Sequence, residues 1–401
     1  MIVGLMRNFI NPPTIAKVTA MFCQSRGIDI IYIRPWDVNI TNNTVAGKIL
    51  VNNRWKKIHT ELPVLIDISP YCFNRKYKEI MEHLRKNATL TYDKKNAVNK
   101  ERLQRELLKD ENFEHLVIPT TRAKSFDDIE EFLLKYSCIV MKPVAGERGK
   151  GIYILKKDVD DYILGYEKEE RRINRDALVE HYQKFIENKR YILQKYISSR
   201  TKDGNPFDCR IHVEKNRQGK WQVARNFIRI GIGQKVISNV NQGGGISDLT
   251  PFLKANFGEK WEEINDKINQ VALTLPYKLE EIKKTPIMSI GFDVAIDKDG
   301  KLYLFESNGA PTTIPLMAKA AMLRTDYYLY LLENKIDKAS ATEFQDSLGS
   351  NLGQLKRELE QVKRDKALYE KRYTAIKNSR AWKATAPVRA VGKFVKNAIR
   401  R

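Results

Sequence analysis

The chain has 401 residues, of which 42% are hydrophobic and 30% charged, so it can bury a sizeable core and is long enough for two or three domains. No stretch approaches the roughly 18 consecutive apolar residues of a membrane span, and no apolar h-region follows the N-terminus. Neither an integral membrane protein nor a secreted one is expected. The net charge of +22 points to anionic partners. Four cysteines lie far apart with no CxxC pair, which argues against a disulfide scaffold or a zinc finger and for a reducing, cytoplasmic setting.

Residues 1–90 alternate strands and helices. IVGLMR (2–7), DIIYIRPW (29–36) and PVLIDIS (63–69) read as strands, and TIAKVTAMFCQSRG (14–27) as an amphipathic helix closed by a glycine. KILVNNRWKKI (48–58) reads as a hairpin turning at Asn52 and Asn53. A small N-terminal α/β domain is expected over 1–90. From 91 to 135 the pattern is helical, with Ser125 as an N-cap. The strand CIVMKP (138–143) runs into the glycine-rich AGERGKG (145–151) and a second strand, IYILKK (152–157). A charged helical stretch is expected over 158–190, then the strand YILQKYI (191–197). FDCRIHVEK (207–215) and QGKWQVARNFIRIG (218–231) form a strand pair, NVNQGGG (239–245) is a glycine cluster, and 251–283 reads as one long helix. A last hairpin joins IMSIGFDVAID (287–297) to KLYLFESN (301–308).

Residues 340–401 differ in character, holding 15 cations and 6 anions. Leu348, Leu352, Leu355, Leu359, Val362, Lys366, Tyr369, Tyr373 and Ile376 follow the a/d spacing of a coiled coil over 340–377, which predicts a homo-oligomer. Residues 378–401 place Val388, Val391, Phe394, Val395, Ala398 and Ile399 on one side of a helix and Arg389, Lys393, Lys396 and Arg400 on the other. With Trp382 just before, this basic amphipathic tail predicts attachment to an anionic membrane surface.

Two constellations carry chemistry. Lys142 lies on a strand, and Gly146, Gly149 and Gly151 after it would let peptide N–H groups approach a polyphosphate. The GK[ST]-to-helix context of a Walker A motif is missing. On the last hairpin, Glu306 and Asn308 are two apart and share a face. With Asp293 on the facing arm they form a hard-oxygen set of the kind magnesium uses beside nucleotide phosphates.

The order of these pieces resembles the ATP-grasp superfamily, in particular its YheC/YheD-like, endospore-coat-associated branch. It is strongest over about residues 90–330 and looser in the N-terminal domain. It implies a pre-ATP-grasp domain over 1–90 and a two-lobed ATP-grasp domain over 91–335, hinged near 191–198. ATP and magnesium, two ions being expected, are the implied cofactors. Lys100 (with Lys95 as the alternative) and Lys142 match the phosphate lysines, and 145–151 the mobile lid. Gln194, Lys195 and Ile197 match the adenine-reading hinge, and Asp208 and Arg210 the DxR pair. Arg229 and Asn239, with Gly243 to Gly245, match the segment facing the transferred phosphate and the acyl substrate. Asp293, Glu306 and Asn308 match the metal ligands. Where the pattern reads ExNxxPG, this chain has ESNGAPT, so Gly309 to Thr313 is expected to shape the acceptor pocket.

The expected reaction is carboxylate–amine ligation through an acyl phosphate, with Arg210, Arg229 and Asn239 at the reacting groups. His212 shares the face of Arg210 and reads as structural before it reads as a proton acceptor. The NSRxWxxTxPxR tail resembles those of bacterial polysaccharide glycosyltransferases. It suggests a uronic acid of a surface polysaccharide as the carboxylate and the inner face of the cell membrane as the location. A peptide or amino-acid ligase, a spore-coat maturation enzyme and an inactive nucleotide-binding scaffold are the alternatives. Nucleic acid is not expected, since no RNP, helix-turn-helix or zinc-knuckle pattern occurs.

Overall fold

Three sheets organise the chain. A computed structural model describes residues 1–94, 98, 100–144, 151–166, 169–231, 244–334, 336, 364 and 371. The N-terminal sheet contains β1 (Ile2–Met6), β2 (Asp29–Ile33), β3 (Val38–Asn39), β4 (Thr44–Val51), β5 (Arg54–Glu61), β6 (Leu65–Ile68) and β7 (Thr89–Leu90), with helices α1 (Thr14–Gln24) and α2 (Lys78–Asn87). Its order is β3-β4-β2-β1-β6-β7, with β5 on β4. The β2–β1–β6–β7 pairings are parallel, and β1, β2 and β6 are apolar runs because the sheet is covered on both faces. Asn52 and Asn53 both take positive φ, which is how the β4–β5 hairpin turns in two residues.

The second sheet has the order β12-β11-β10-β9-β13-β8. It follows α3 (Lys100–Leu107) and comprises β8 (Thr120–Ala123), β9 (Cys138–Pro143), β10 (Tyr153–Asp158), β11 (Asp161–Tyr166), β12 (Glu169–Ile173) and β13 (Tyr191–Lys195), with α4 (Phe126–Tyr136) and α5 (Arg175–Phe185) packed on it. Ser125 caps α4 in a reciprocal box with Asp128. The helical expectation over 158–190 is corrected here: β11 and β12 occupy its first half and only α5 is helical. The Glu- and Arg-rich residues of β12 suit an exposed sheet edge, where charge discourages edge-to-edge pairing. His181 of α5 is buried against Tyr153 and Phe185, and burial pushes its imidazole down to about 4.

The third sheet, in the order β16-β15-β14-β17-β18, holds β14 (Phe207–Lys215), β15 (Trp221–Ile230), β16 (Gly245–Asp248), β17 (Ser289–Ile296) and β18 (Leu302–Asn308). β14 alternates apolar and polar residues. Cys209, Ile211 and Val213 join Ile290, Phe292 and Val294 in one core with α7 (Trp261–Lys283). The single helix expected over 251–283 is two: α6 (Leu249–Phe257) ends at Gly258, whose φ of +57° breaks the run before α7 begins.

The opposite face of β14 bears Asp208, Arg210, His212 and Glu214, yet it too is buried. Helix α8 (Met317–Asn334), in a stretch with no sequence-based assignment, packs on β14, β15 and β6. It satisfies this polar face. Arg324 donates to Glu214 at 2.9 Å, and Glu214 also accepts from Ser289 and contacts His212. Four residues on, Tyr328 donates to Asp67 of β6, which also binds Arg7 at 2.9 Å. Beside these, Cys23 and Thr325 lie 3.3 Å apart between α1 and α8. Residues Met1–Lys335 form one compact unit. The expected coiled coil (340–377) and basic tail (378–401) lie outside the described residues, Arg364 and Lys371 excepted.

Burial disfavours the charged forms of Glu214 and Arg324. Their mutual attraction outweighs it, so the Glu214 carboxyl sits below its usual range and Arg324 above its own. Glu214→Met should cost about 3–5 kcal/mol by leaving Arg324 buried and unpaired. The double variant Glu214→Met, Arg324→Met should recover most of that loss, as a urea-unfolding double-mutant cycle would measure. Because the folded-state pKa of Glu214 is depressed, its contribution should be complete at neutral pH. It should vanish as pH falls below the usual carboxylate range, and that pH dependence should shrink in the double variant.

Candidate active site

The polar face of the third sheet brings together six of the residues singled out in the sequence. Register places Arg210 opposite Asp293, Asp293 opposite Glu306 and Asp208 opposite Arg229. Directly opposed residues of antiparallel strands share a face, so the four strands align these side chains in one row. A bulge after Asp293 pairs Val294 with Leu304 and leaves Phe305 as the extra residue. Glu306 and Asn308 thereby stay level with Asp293 and Gly291.

The contacts are dense. Arg210 grips Asp293 through both Nε and Nη2. Arg229 binds Asp208 at 2.7 and 2.8 Å and reaches Asp293 at 3.0 Å. Asn308 Nδ2 lies 3.5 Å from Asp293 Oδ2. Burial opposes the charge of Arg229, but Asp208 and Asp293 outweigh it and raise its pKa. Two guanidinium groups thus bind the carboxylates of Asp208 and Asp293, and Glu306 stands opposite Asp293 in register. Among the described residues no cluster of three or more His, Cys, Asp or Glu could hold a metal. The set here is two carboxylates and an amide, whose oxygens fit a hard cation.

Gly291 keeps the row open. A Cβ there would stand 2.8 Å from the Cβ of Pro311 and 3.3 Å from Arg210 Nη1. His212 is wholly buried, its Nε2 2.9 Å from Glu214 Oε1, and burial lowers its pKa, so it belongs to the α8 network.

The second sheet supplies a separate group. Lys142 donates to Gln194 at 2.7 Å, and Gln194 donates to Thr120 at 3.0 Å across the β13–β8 pair. The other face of these strands, through Ile139, Met141 and Leu193, is core. Helix α3 is tied to β8 by Glu101 and Arg122 at 2.5 and 2.6 Å, with Gln104 3.5 Å from Thr120. Lys100 therefore begins a helix anchored to the strand beside Gln194, though its side chain lies outside the described residues. So do Lys95, Gly146, Gly149, Asn239 and Gly243. Gly151 has φ +74°, and a Cβ on it would meet the Tyr191 hydroxyl at 2.8 Å. Where the hinge is expected, the Lys195 N–H donates to Pro119 O, and Ile197 packs with Ile118, Ala295 and Tyr303. Thr120, Glu101, Gly291 and Arg324 escaped the sequence reading. The four-residue strand of Thr120 gives too little alternation, and the partners of the others lie far away in sequence.

The family model "YheC/D like ATP-grasp" matches residues 89–334, more than half of the chain. The chain belongs to the YheC/D-like ATP-grasp family. It is an ATP-grasp ligase of mixed α/β fold, with ATP as its nucleotide. Two proteins of Bacillus subtilis (strain 168) are similar to it. Endospore coat-associated protein YheC is 24% identical over 297 residues, 71% of this chain and 81% of that protein. Endospore coat-associated protein YheD is 26% identical over 287 residues, 68% of this chain but only 62% of that longer protein. Among solved structures, D-cycloserine synthetase DcsG overlaps with TM-score 0.48 and 14% identity, covering 82% of this chain and 99% of that one. The ADP complex of N5-carboxyaminoimidazole ribonucleotide synthetase overlaps with TM-score 0.47 and 14% identity, covering 78% and 70%.

The crowding at Gly291 yields a test. Gly291→Ala should push Arg210 off Asp293 and lower ATP turnover about tenfold or more, equivalent to about 1.4 kcal/mol in the barrier. Overpacking should cost only about 1–3 kcal/mol of stability. Parallel measurements of ADP release and thermal melting check both.

Proposed function

We propose that the chain joins a uronic acid of a bacterial surface polysaccharide to an amino acid or other amine, through an acyl phosphate. The observation that carries the ligation chemistry is the single row of Asp208, Arg229, Arg210, Asp293, Glu306 and Asn308. Asp293, Glu306 and Asn308 would hold magnesium, one ion or two, whose charge offsets that of the phosphates when bound. Arg210 and Arg229 would then turn their planar forks to the substrate carboxylate and the transferred phosphate. Lys142 and Lys100 would hold the nucleotide phosphates, with Gln194 keeping the Lys142 ammonium in place. Ile197 and its apolar neighbours would flank the adenine, read by the peptide groups of 194–197. Asn239 and the glycines up to Gly245 would face the acyl group.

A carboxylate oxygen attacks the γ-phosphorus and ADP leaves. The amine nitrogen then attacks the acyl carbon, the C–N bond forms, phosphate departs with its oxygen, and the amine proton passes to solvent. Closure of 145–151 would exclude the water that otherwise hydrolyses the acyl phosphate.

The glycan acceptor is supported by the tail's resemblance to those of polysaccharide glycosyltransferases and by the net charge of +22. A second reading, ligation of peptide or amino-acid substrates of a spore coat, is favoured by the names of the two Bacillus relatives. Glucuronic acid plus amino acids against peptide acceptors, scored by ADP release, separates the two. Among the described residues no helix is long and apolar enough to cross a membrane, and membrane attachment is proposed through the tail alone.

With carboxylate substrate and ATP but no amine, hydroxylamine should capture a hydroxamate, and AMP with pyrophosphate would overturn the acyl-phosphate route. Glu306→Gln should lower hydroxamate formation by orders of magnitude while leaving thermal melting nearly unchanged. Deleting 340–401 should spare turnover of small substrates, reduce oligomer size and abolish flotation with anionic vesicles. Full-length protein that ignores anionic vesicles at low salt would sink the membrane proposal.

A further inference from the structure

We propose that the N-terminal sheet carries a binding groove for a uronate-rich oligosaccharide, set apart from the row of reacting groups on β14, β15, β17 and β18. Two open cavities of about 960 and 440 Å³ adjoin there, sharing Asp37 and Ala46 in their walls. The larger is lined by Trp36, Arg75 and Lys76, the smaller by Arg34, Lys48 and Lys57. None of these residues belongs to the ligation site.

The groove has the features such a ligand needs. Trp36 is 43% exposed although its indole is fixed from two sides, by the Arg34 guanidinium 4.8 Å from its ring centre and by the Tyr77 ring at 5.9 Å. A held but open indole offers a rigid apolar face on which a pyranose can lie at little entropic cost. Around it the charge is one-sided. Asp37 is neutralised by Arg34, at 2.6 and 2.8 Å, which leaves Glu79 as the other acid in the lining. Lys48, Lys57, Arg75 and Lys76 form no ion pair with an acid among the described residues. Lys48 reaches only the carbonyl of Ile10, and the Lys76 ammonium lies over the Tyr77 ring. Cations repeated along an open channel with a single stacking surface match carboxylates repeated along a sugar chain.

Single-stranded nucleic acid also carries repeated negative charge, but its binding sites present successive aromatic platforms. Here Tyr32 is buried, and besides the His59 imidazole Trp36 is the exposed aromatic ring of the two linings. The groove rests on the uronate-acceptor reading and extends it: the enzyme would grip several sugars of the chain whose carboxylate it activates.

The test uses the full chain without nucleotide, titrated calorimetrically with hexagalacturonate, with the same oligomer after reduction of its carboxyl groups, and with single-stranded RNA of equal charge. Hexagalacturonate is expected to bind at least tenfold more tightly than the reduced oligomer and more tightly than the RNA. Trp36→Ala, and separately Lys57→Gln combined with Arg75→Gln, should each weaken it tenfold or more. Trp36→Phe should keep most of the affinity, and all variants should melt near the parent temperature. Equal binding of the reduced oligomer, tighter binding of RNA, or unchanged affinity in well-folded groove variants would each overturn the proposal. Hydroxamate formation with monomeric glucuronic acid should be unaltered in the same variants. Binding lost with hydroxamate retained would therefore implicate the groove alone, whereas binding without any hydroxamate would keep the groove and reject the ligase reading.

Discussion

A row of charged side chains on β14 is buried on a face that an ordinary two-layer sheet would give to apolar residues, and the rest of the molecule is arranged around satisfying it. Asp208, Arg210, His212 and Glu214 occupy alternate positions, so none can turn away without moving the apolar set of the other face out of the core. Buried unpaired charge is costly enough that each must find a partner. At one end the partners are Arg229 and Asp293 on the neighbouring strands. At the other they come from α8, where Arg324 meets Glu214.

That division separates a half of the row sealed by α8 from a more open half. Glu214, His212, Ser289 and Arg324 are shut in by α8. Through Tyr328, α8 also holds Asp67 of the N-terminal sheet, so one helix is fixed to two sheets by two side chains a single turn apart. The other half keeps some access to solvent at Arg229. Such a cluster is preorganised: its charges are already oriented, and an incoming cation or anion exchanges partners instead of ordering loose side chains.

The second sheet uses the same device on a smaller scale. Lys142 projects from a strand whose other face is core; Gln194 on the adjacent strand accepts from its ammonium and is itself held by Thr120 one strand further on. Helix α3 is clamped to the same sheet by Glu101 and Arg122. This sheet and the charged row of the third sheet are thus each organised from within.

Local periodicity in the sequence was enough to determine the strands β9, β13, β14, β15, β17 and β18, the hairpin at Asn52 and Asn53 and the N-cap at Ser125. The two-residue spacing of Asp208 with Arg210, and of Glu306 with Asn308, already put each pair on one face, because a strand repeats every second residue. Gly258 carried the break between α6 and α7 in plain sight, but a lone glycine inside a helical pattern is often tolerated and was read through. Tertiary structure alone decided the rest. β11 and β12 are strands because β10 offers an open edge to residues whose charged composition reads as helix. Thr120, Gly291 and Arg324 matter through Gln194, Pro311 and Glu214, which lie 74, 20 and 110 positions away. Pairing at such separations is set by which strands lie side by side and which helix covers them, and no local pattern of hydrophobicity or propensity encodes it.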